Sequence, residues 1–194
     1  DARDVIVDGT GMQSGSASYY YIRTMSLRRD SEGTELRAVR RHIKLTLVVD
    51  ADSLMIVSML TTSGPGSDAP CMRPALAKAV ERGASIETVV ADKAYDSESI
   101  RRYIVIELGA EAHIPLRRVQ AHAVQQHGLL RRRQLGAFDE ARYRRRALVE
   151  TVNSMLKRRS SIVRARSERG QANELALRAV AHNAERAATL AHEG

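Results

Sequence analysis

Two short runs constrain this chain more than any other feature. Val5-Ile6-Val7 and Val89-Val90-Ala91 are apolar at every position, and each ends on an aspartate, Asp8 and Asp92. A strand with one face in water alternates apolar and polar residues; a run apolar throughout must be covered on both faces. Covering both faces takes helical layers above and below a sheet with crossover connections, hence an α/β fold. With 194 residues the chain is long enough for one domain with a substantial core, and 1–194 is read as a single domain.

The rest of the pattern fills in that sheet. Arg3–Val7 is the first strand, with Gly9-Thr10-Gly11 expected to turn the chain after Asp8. Residues 13–18 read as loop, and Tyr19-Tyr20-Tyr21-Ile22 as the start of an edge strand or hairpin. Arg40–Val49 and Leu54–Leu60 form a hairpin turned by Ala51-Asp52-Ser53. A loop over Thr61–Pro70 leads to a helix over Met72–Arg82, closed by Gly83. Ile86–Ala91 is a fourth strand, Ser97–Leu108 a helix stopped by Gly109, and Glu111–Ile114 a short fifth strand. Residues 116–136 read as an irregular basic excursion, followed by long helices over Phe138–Arg159 and Gln171–His192. Antiparallel strands first and parallel crossovers afterwards give an RNase H-like arrangement: a mixed five-stranded sheet with helices on both faces and C-terminal helices.

Charge narrows the partner. The formal net charge is +8, and the arginines gather after residue 115, a field that favours a polyanion. The guanidinium fork suits phosphate. No run reaches the roughly 18 apolar residues of a membrane span, and no signal peptide is expected. The single cysteine, Cys71, excludes an internal disulfide and a multi-cysteine zinc site, which fits a reducing cytosol.

Asp8 and Asp92 end comparable buried runs. If their strands lie side by side and parallel, both carboxylates reach the sheet edge where ligands bind in such folds, and oxygen-only ligands suit Mg2+ or Mn2+. Asp50 and Asp52 end a hairpin strand and are expected at the opposite end of the sheet. On the helix over Phe138–Arg159, with Tyr143 at zero, Arg146, Glu150 and Lys157 fall at about 300°, 340° and 320°. These four polar residues share one stripe. Leu148, Val149, Val152, Met155 and Leu156 form the opposite, apolar face. The stripe carries one acid in a strongly basic stretch.

Tyr143, Arg146, Glu150 and Lys157 have the spacing Y-x2-R-x3-E-x6-K. That spacing resembles the signature of insertion-sequence transposases of the IS4/IS5 type, in the Asp-Asp-Glu superfamily. Val90-Ala91-Asp92-Lys93-Ala94-Tyr95-Asp96-Ser97 resembles the family's second-aspartate motif, and Val7-Asp8-Gly9-Thr10-Gly11 its first. The resemblance runs from Val5 to about Asn183. It implies a transposase catalytic domain in which Asp8, Asp92 and Glu150 hold two Mg2+ (or Mn2+) ions. Such a domain hydrolyses phosphodiesters at element ends and transfers strands into target DNA. It further implies double-stranded DNA as partner, a homodimer on DNA, and a prokaryotic, nucleoid-associated cytosolic setting without membrane contact. Tyr143, Arg146 and Lys157 are expected to contact phosphates, with Arg117, Arg118, Arg131, Arg132 and Arg133 extending the backbone-binding surface. Asp68 matches a family position after the third strand, but reads first as a helix cap. The domain is expected to lack the family's upstream helical DNA-binding region. A non-catalytic DNA-binding remnant and another RNase H-like nuclease are the alternatives.

Overall fold

The structure, a computed structural model, describes residues 3–15, 42–64, 66–117, 128–134 and 138–193. Tyr19–Tyr21, and with them the expected edge strand, lie outside the described residues, as does Arg118.

The strands are β1 (Asp4–Ser14), β2 (His42–Asp50), β3 (Ile56–Ser63), β4 (Thr88–Ala91), β5 (Glu111–His113) and β6 (Ile162–Val163). Their order is β3-β2-β1-β4-β5, with β6 also paired to β1. The pairs β1–β2 and β2–β3 are antiparallel. The pairs β1–β4, β4–β5 and β1–β6 are parallel. The helices are α1 (Ala69–Glu81), α2 (Glu98–Arg102), α3 (Leu129–Gln134), α4 (Glu140–Arg144), α5 (Ala147–Arg159) and α6 (Glu168–Glu193). A 3-10 turn over Lys93–Tyr95 follows β4, and a π turn over Tyr103–Glu107 extends α2.

Side chains alternate across β1. Val5 and Val7 enter the core beneath α1 and α2, with Met72, Leu76, Val89 and Ile104. Ile6 enters the core beneath α5 and α6, with Leu47, Val90, Val152, Leu156 and Leu175. Val5, Ile6 and Val7 are fully buried, each contributing about 1.5–3 kcal/mol over an exposed position. The both-face burial expected of these runs is what the two cores show, and the mixed sheet is RNase H-like.

Four local expectations are corrected. Gly9-Thr10-Gly11 is not a turn: β1 continues through it, paired to Thr46, Leu45 and Lys44 of β2. Partner strand and cross-strand hydrogen bonds outweigh the turn preference of Gly-Thr-Gly. The third strand starts at Ile56, because Leu54 sits in the hairpin turn at φ 59°, with Asp50 accepting from the Asp52 amide and the Ser53 hydroxyl, both at 3.0 Å. Helix α1 begins three residues before Met72, with Pro at the start of its first turn, where the missing N–H costs nothing. The helix over Phe138–Arg159 is two helices. They meet at Arg145 and Arg146, whose amides bond three residues back to Arg142 and Tyr143, a tightened 3-10 step.

Candidate active site

The sheet parts beside the middle of β1. On that edge β4 pairs with Asp4 to Val7 only, and β6 with Gln13 and Ser14. Among the described residues no strand pairs β1 there between Asp8 and Met12. A cleft of about 520 Å³ opens at this point, lined by Asp8, Thr10, Glu150, Asn153, Lys157 and Arg158.

Asp8 shares the face of Ile6, toward α5. Its Oδ2 accepts from Asn153 Nδ2 at 3.1 Å. Burial raises the Asp8 pKa above the usual carboxylate range; the Gly9 amide and Arg146 oppose this, while Asp68 and Asp92 reinforce it. Val7 pairs in parallel register with Ala91, so Asp92 leaves β4 at the level where Asp8 stands in β1. Asp92 caps the 3-10 turn, accepting from the Lys93 amide at 2.5 Å. Asp50 pairs with Val5 and so lies at the other end of the sheet, as expected.

Glu150 stands in the first turn of α5, exposed, on the cleft that Asp8 lines. Arg146 joins it to the second aspartate, 2.5 Å from Glu150 Oε1 and 4.0 Å from Asp92 Oδ2. Burial works against the Arg146 charge, but Glu150 and Asp92 outweigh it and raise its pKa. Asp8 and Glu150 thus line one cleft, and Arg146 bridges Glu150 to Asp92. Among the described residues, no three His, Cys, Asp or Glu side chains are drawn close enough to hold an ion as they stand.

Tyr143 is half-buried and packs against Phe138, ring centroids 5.5 Å apart; burial raises its pKa. Lys157 and Arg158 flank the acids along α5. The basic segment divides. Arg132 and Arg133 are exposed on α3. Arg131 turns inward: its guanidinium holds the fully buried Asp96 carboxylate at 2.5 Å and 3.1 Å. Arg117 donates through its amide to Asp96 at 2.9 Å, and through its side chain to the carbonyls of Lys93 and Ala94 at 3.0 Å and 2.9 Å. Arg131 thus supplies counter-charge to buried Asp96 and Arg117 an amide donor.

Two site residues, Asn153 and Tyr95, escaped sequence reasoning, and a third, Asp68, reads first as a cap. Asn153 falls at about 280° on the same wheel, between the apolar face and the acid stripe, and that position was its signal. Asp68 occupies the N-cap position of α1 but makes no capping bond. Its carboxylate pairs with Lys44 at 2.5 Å, so the capping reading is wrong. Tyr95 is buried, with a hydroxyl that has no hydrogen-bond partner.

A mixed sheet of this order, with aspartates on its two central parallel strands and a glutamate on the facing helix, defines an RNase H-like domain. Residues 1–184 match the family described as the Transposase DDE domain. The chain belongs to that family. Among solved structures it is similar to the piggyBac transposase synaptic complex with hairpin DNA (10% identity, 66% of this chain and 26% of that one, TM-score 0.40). It is also similar to the Mos1 transposase paired-end complex with the left transposon end (10%, 79% and 53%, TM-score 0.37). A third likeness is the catalytic core domain of BIV integrase (12%, 77% and 82%, TM-score 0.34). The chain thus spans about a quarter and about half of the first two. Likeness at this level says nothing about activity. No curated protein matches the chain. No helix among the described residues is long and apolar enough to cross a membrane.

Proposed function

We propose that this chain is the catalytic domain of a divalent-metal-dependent DNA transposase, with Asp8, Asp92 and Glu150 as its metal-holding acids. One observation carries the reading: two aspartates leave neighbouring parallel strands at one level, and the acid of the facing helix lines the cleft beside the first of them. Family membership supports it.

The donor set fits a hard cation. All three groups offer only carboxylate oxygens, which suit Mg2+ or Mn2+. Asp8 is held by the Asn153 amide. Asn153 Oδ1, buried without a partner, adds a further oxygen beside it. Two ions held by Asp8, Asp92 and Glu150 would supply an activated nucleophile and stabilise the leaving oxygen. The chain's own residues orient the strand. Lys157 and Arg158 line the cleft and bind phosphates on either side of the scissile bond, positioning without reading sequence. Arg146 exchanges carboxylate for phosphate oxygens, and Tyr143, packed on Phe138, contacts a phosphate beside it. The substrate is double-stranded DNA at element ends and then target DNA, worked on by a homodimer in a prokaryotic cytosol.

The test is nicking of supercoiled plasmid in Mn2+. Asp8→Ala, Asp92→Ala and Glu150→Ala are each expected to abolish nicking and leave plasmid retention on a gel intact. Normal nicking by the Asp92→Ala chain would refute the assignment.

A further inference from the structure

Gly9 follows Asp8 in β1, and its missing side chain faces α1, on the opposite side of the sheet from the Asp8 carboxylate. A Cβ placed on Gly9 would lie 2.4 Å from Asp68 Oδ1 and 3.4 Å from the Tyr95 hydroxyl. Asp68 therefore fills the space a side chain would take, against the backbone of the residue that directly follows Asp8 in β1. Its own place is fixed. At the N-cap position of α1 its carboxylate forgoes the helix amides and pairs instead with Lys44 at 2.5 Å. The Lys44 side chain is 11% exposed and also donates to the Gly66 carbonyl. An acid that gives up a capping bond worth about 1 kcal/mol to sit behind an active-site strand has a second task.

We propose that Asp68 is a positioning residue for Asp8, acting through the backbone of Gly9 and anchored by Lys44. The chain of contacts runs Lys44, Asp68, Gly9, Asp8, and so reaches the carboxylate from the face opposite Asn153. Tyr95 closes the same spot with a buried hydroxyl whose pKa is raised by burial and by Asp68 and Asp8, so it stands neutral beside the acid. Outer groups that hold a ligand's backbone change metal affinity without touching the ion.

The proposal rests on Asp8 being a metal-holding carboxylate, and the experiment separates the two. Mn2+ binding to the full chain is titrated by the loss of the free-ion electron paramagnetic resonance signal, without DNA, beside a thermal melt. Asp8→Asn is expected to remove high-affinity Mn2+ binding. Asp68→Asn, nearly the same size without the charge, is expected to weaken it roughly ten- to a hundredfold with a cooperative melt retained. Gly9→Ala is expected to lose both stability and affinity. Gly9→Ala combined with Asp68→Ala removes the clash and should regain the melt but not the affinity. Wild-type Mn2+ affinity in Asp68→Asn, with Asp8→Asn dead, overturns this proposal alone. So does recovery of affinity in the double variant, which would make Asp68 a space-filler, or loss of cooperative unfolding in Asp68→Asn. A wild-type chain that binds no Mn2+ overturns the metal reading and this proposal together.

Discussion

Asn153 stands at the border of the buried face of α5, where Val149, Val152 and Leu156 fill the core. An apolar residue there would pack as well. The amide instead spends one donor on Asp8 and leaves Oδ1 buried without a partner. Leaving a buried acceptor unpaired costs about 1–3 kcal/mol, so the side chain is poor for stability and suited to the site. Asn153→Ala should therefore change the urea unfolding free energy by only about 1 kcal/mol, since the lost bond and the removed orphan act in opposite directions. Plasmid nicking should fall by roughly tenfold or more. A variant that nicks at the wild-type rate would make Asn153 a plain core amide.

At the scale of elements, Asp96 joins four pieces of chain. Its carboxylate takes Arg101 from α2, Arg131 from α3 and the Arg117 amide beyond β5. Arg117 in turn holds the carbonyls of the turn after Asp92. Glu98 adds a cap on α3, accepting from Leu130 and Arg131 amides. Burial alone would push the Asp96 pKa up; hydrogen bonds from Arg131, the Arg117 amide and Arg101 outweigh it and hold the pKa below the usual carboxylate range. The stability this contributes is complete above the unfolded value of about 3.9 and drains away as pH falls through the lower folded value. Asp96→Asn leaves two arginines without their anion and should cost about 3–5 kcal/mol near neutrality. Urea melts at descending pH should show the gap between wild type and variant closing below pH about 4; a gap that persists in acid would mean Asp96 acts through shape rather than charge. These elements also mark what could be read from residues alone. The apolar runs before Asp8 and Asp92 pointed to two strands covered on both faces, while their parallel pairing was a condition that only the register met. The stripe through Glu150 revealed one face of α5. Gly9-Thr10-Gly11 misled, because pairing to a strand distant in sequence decided its conformation. Asp68 misled for a related reason, as its partner Lys44 lies across the sheet, where no local pattern points.

The charge of the whole molecule, +8, overstates what faces a nucleic acid. Arg101 and Arg131 are spent on Asp96, Arg145 on Asp4 and Asp52, Arg178 on Glu174 and nearby carbonyls, and Arg186 on the Ser53 carbonyl. These hold α3, α5 and α6 to the sheet. Among the described residues, the cations beside the acids are fewer: Arg146 between Glu150 and Asp92, and Lys157 and Arg158 on the cleft. A phosphate contact releases counterions, so each one adds about 0.9 to the slope of log affinity against log salt. Lys157→Ala should weaken binding of duplex DNA alike for every sequence tested and reduce that slope by about one, with the thermal midpoint unchanged. Arg131→Ala should do the reverse, lowering the midpoint and leaving the slope of whatever folds as in wild type. Anisotropy titrations of a labelled duplex over a range of salt, paired with thermal melts, measure both quantities. If Arg131→Ala flattened the salt dependence and Lys157→Ala did not, the DNA path would run over α3 and away from the three carboxylates, and the cleft beside β1 would lose its substrate.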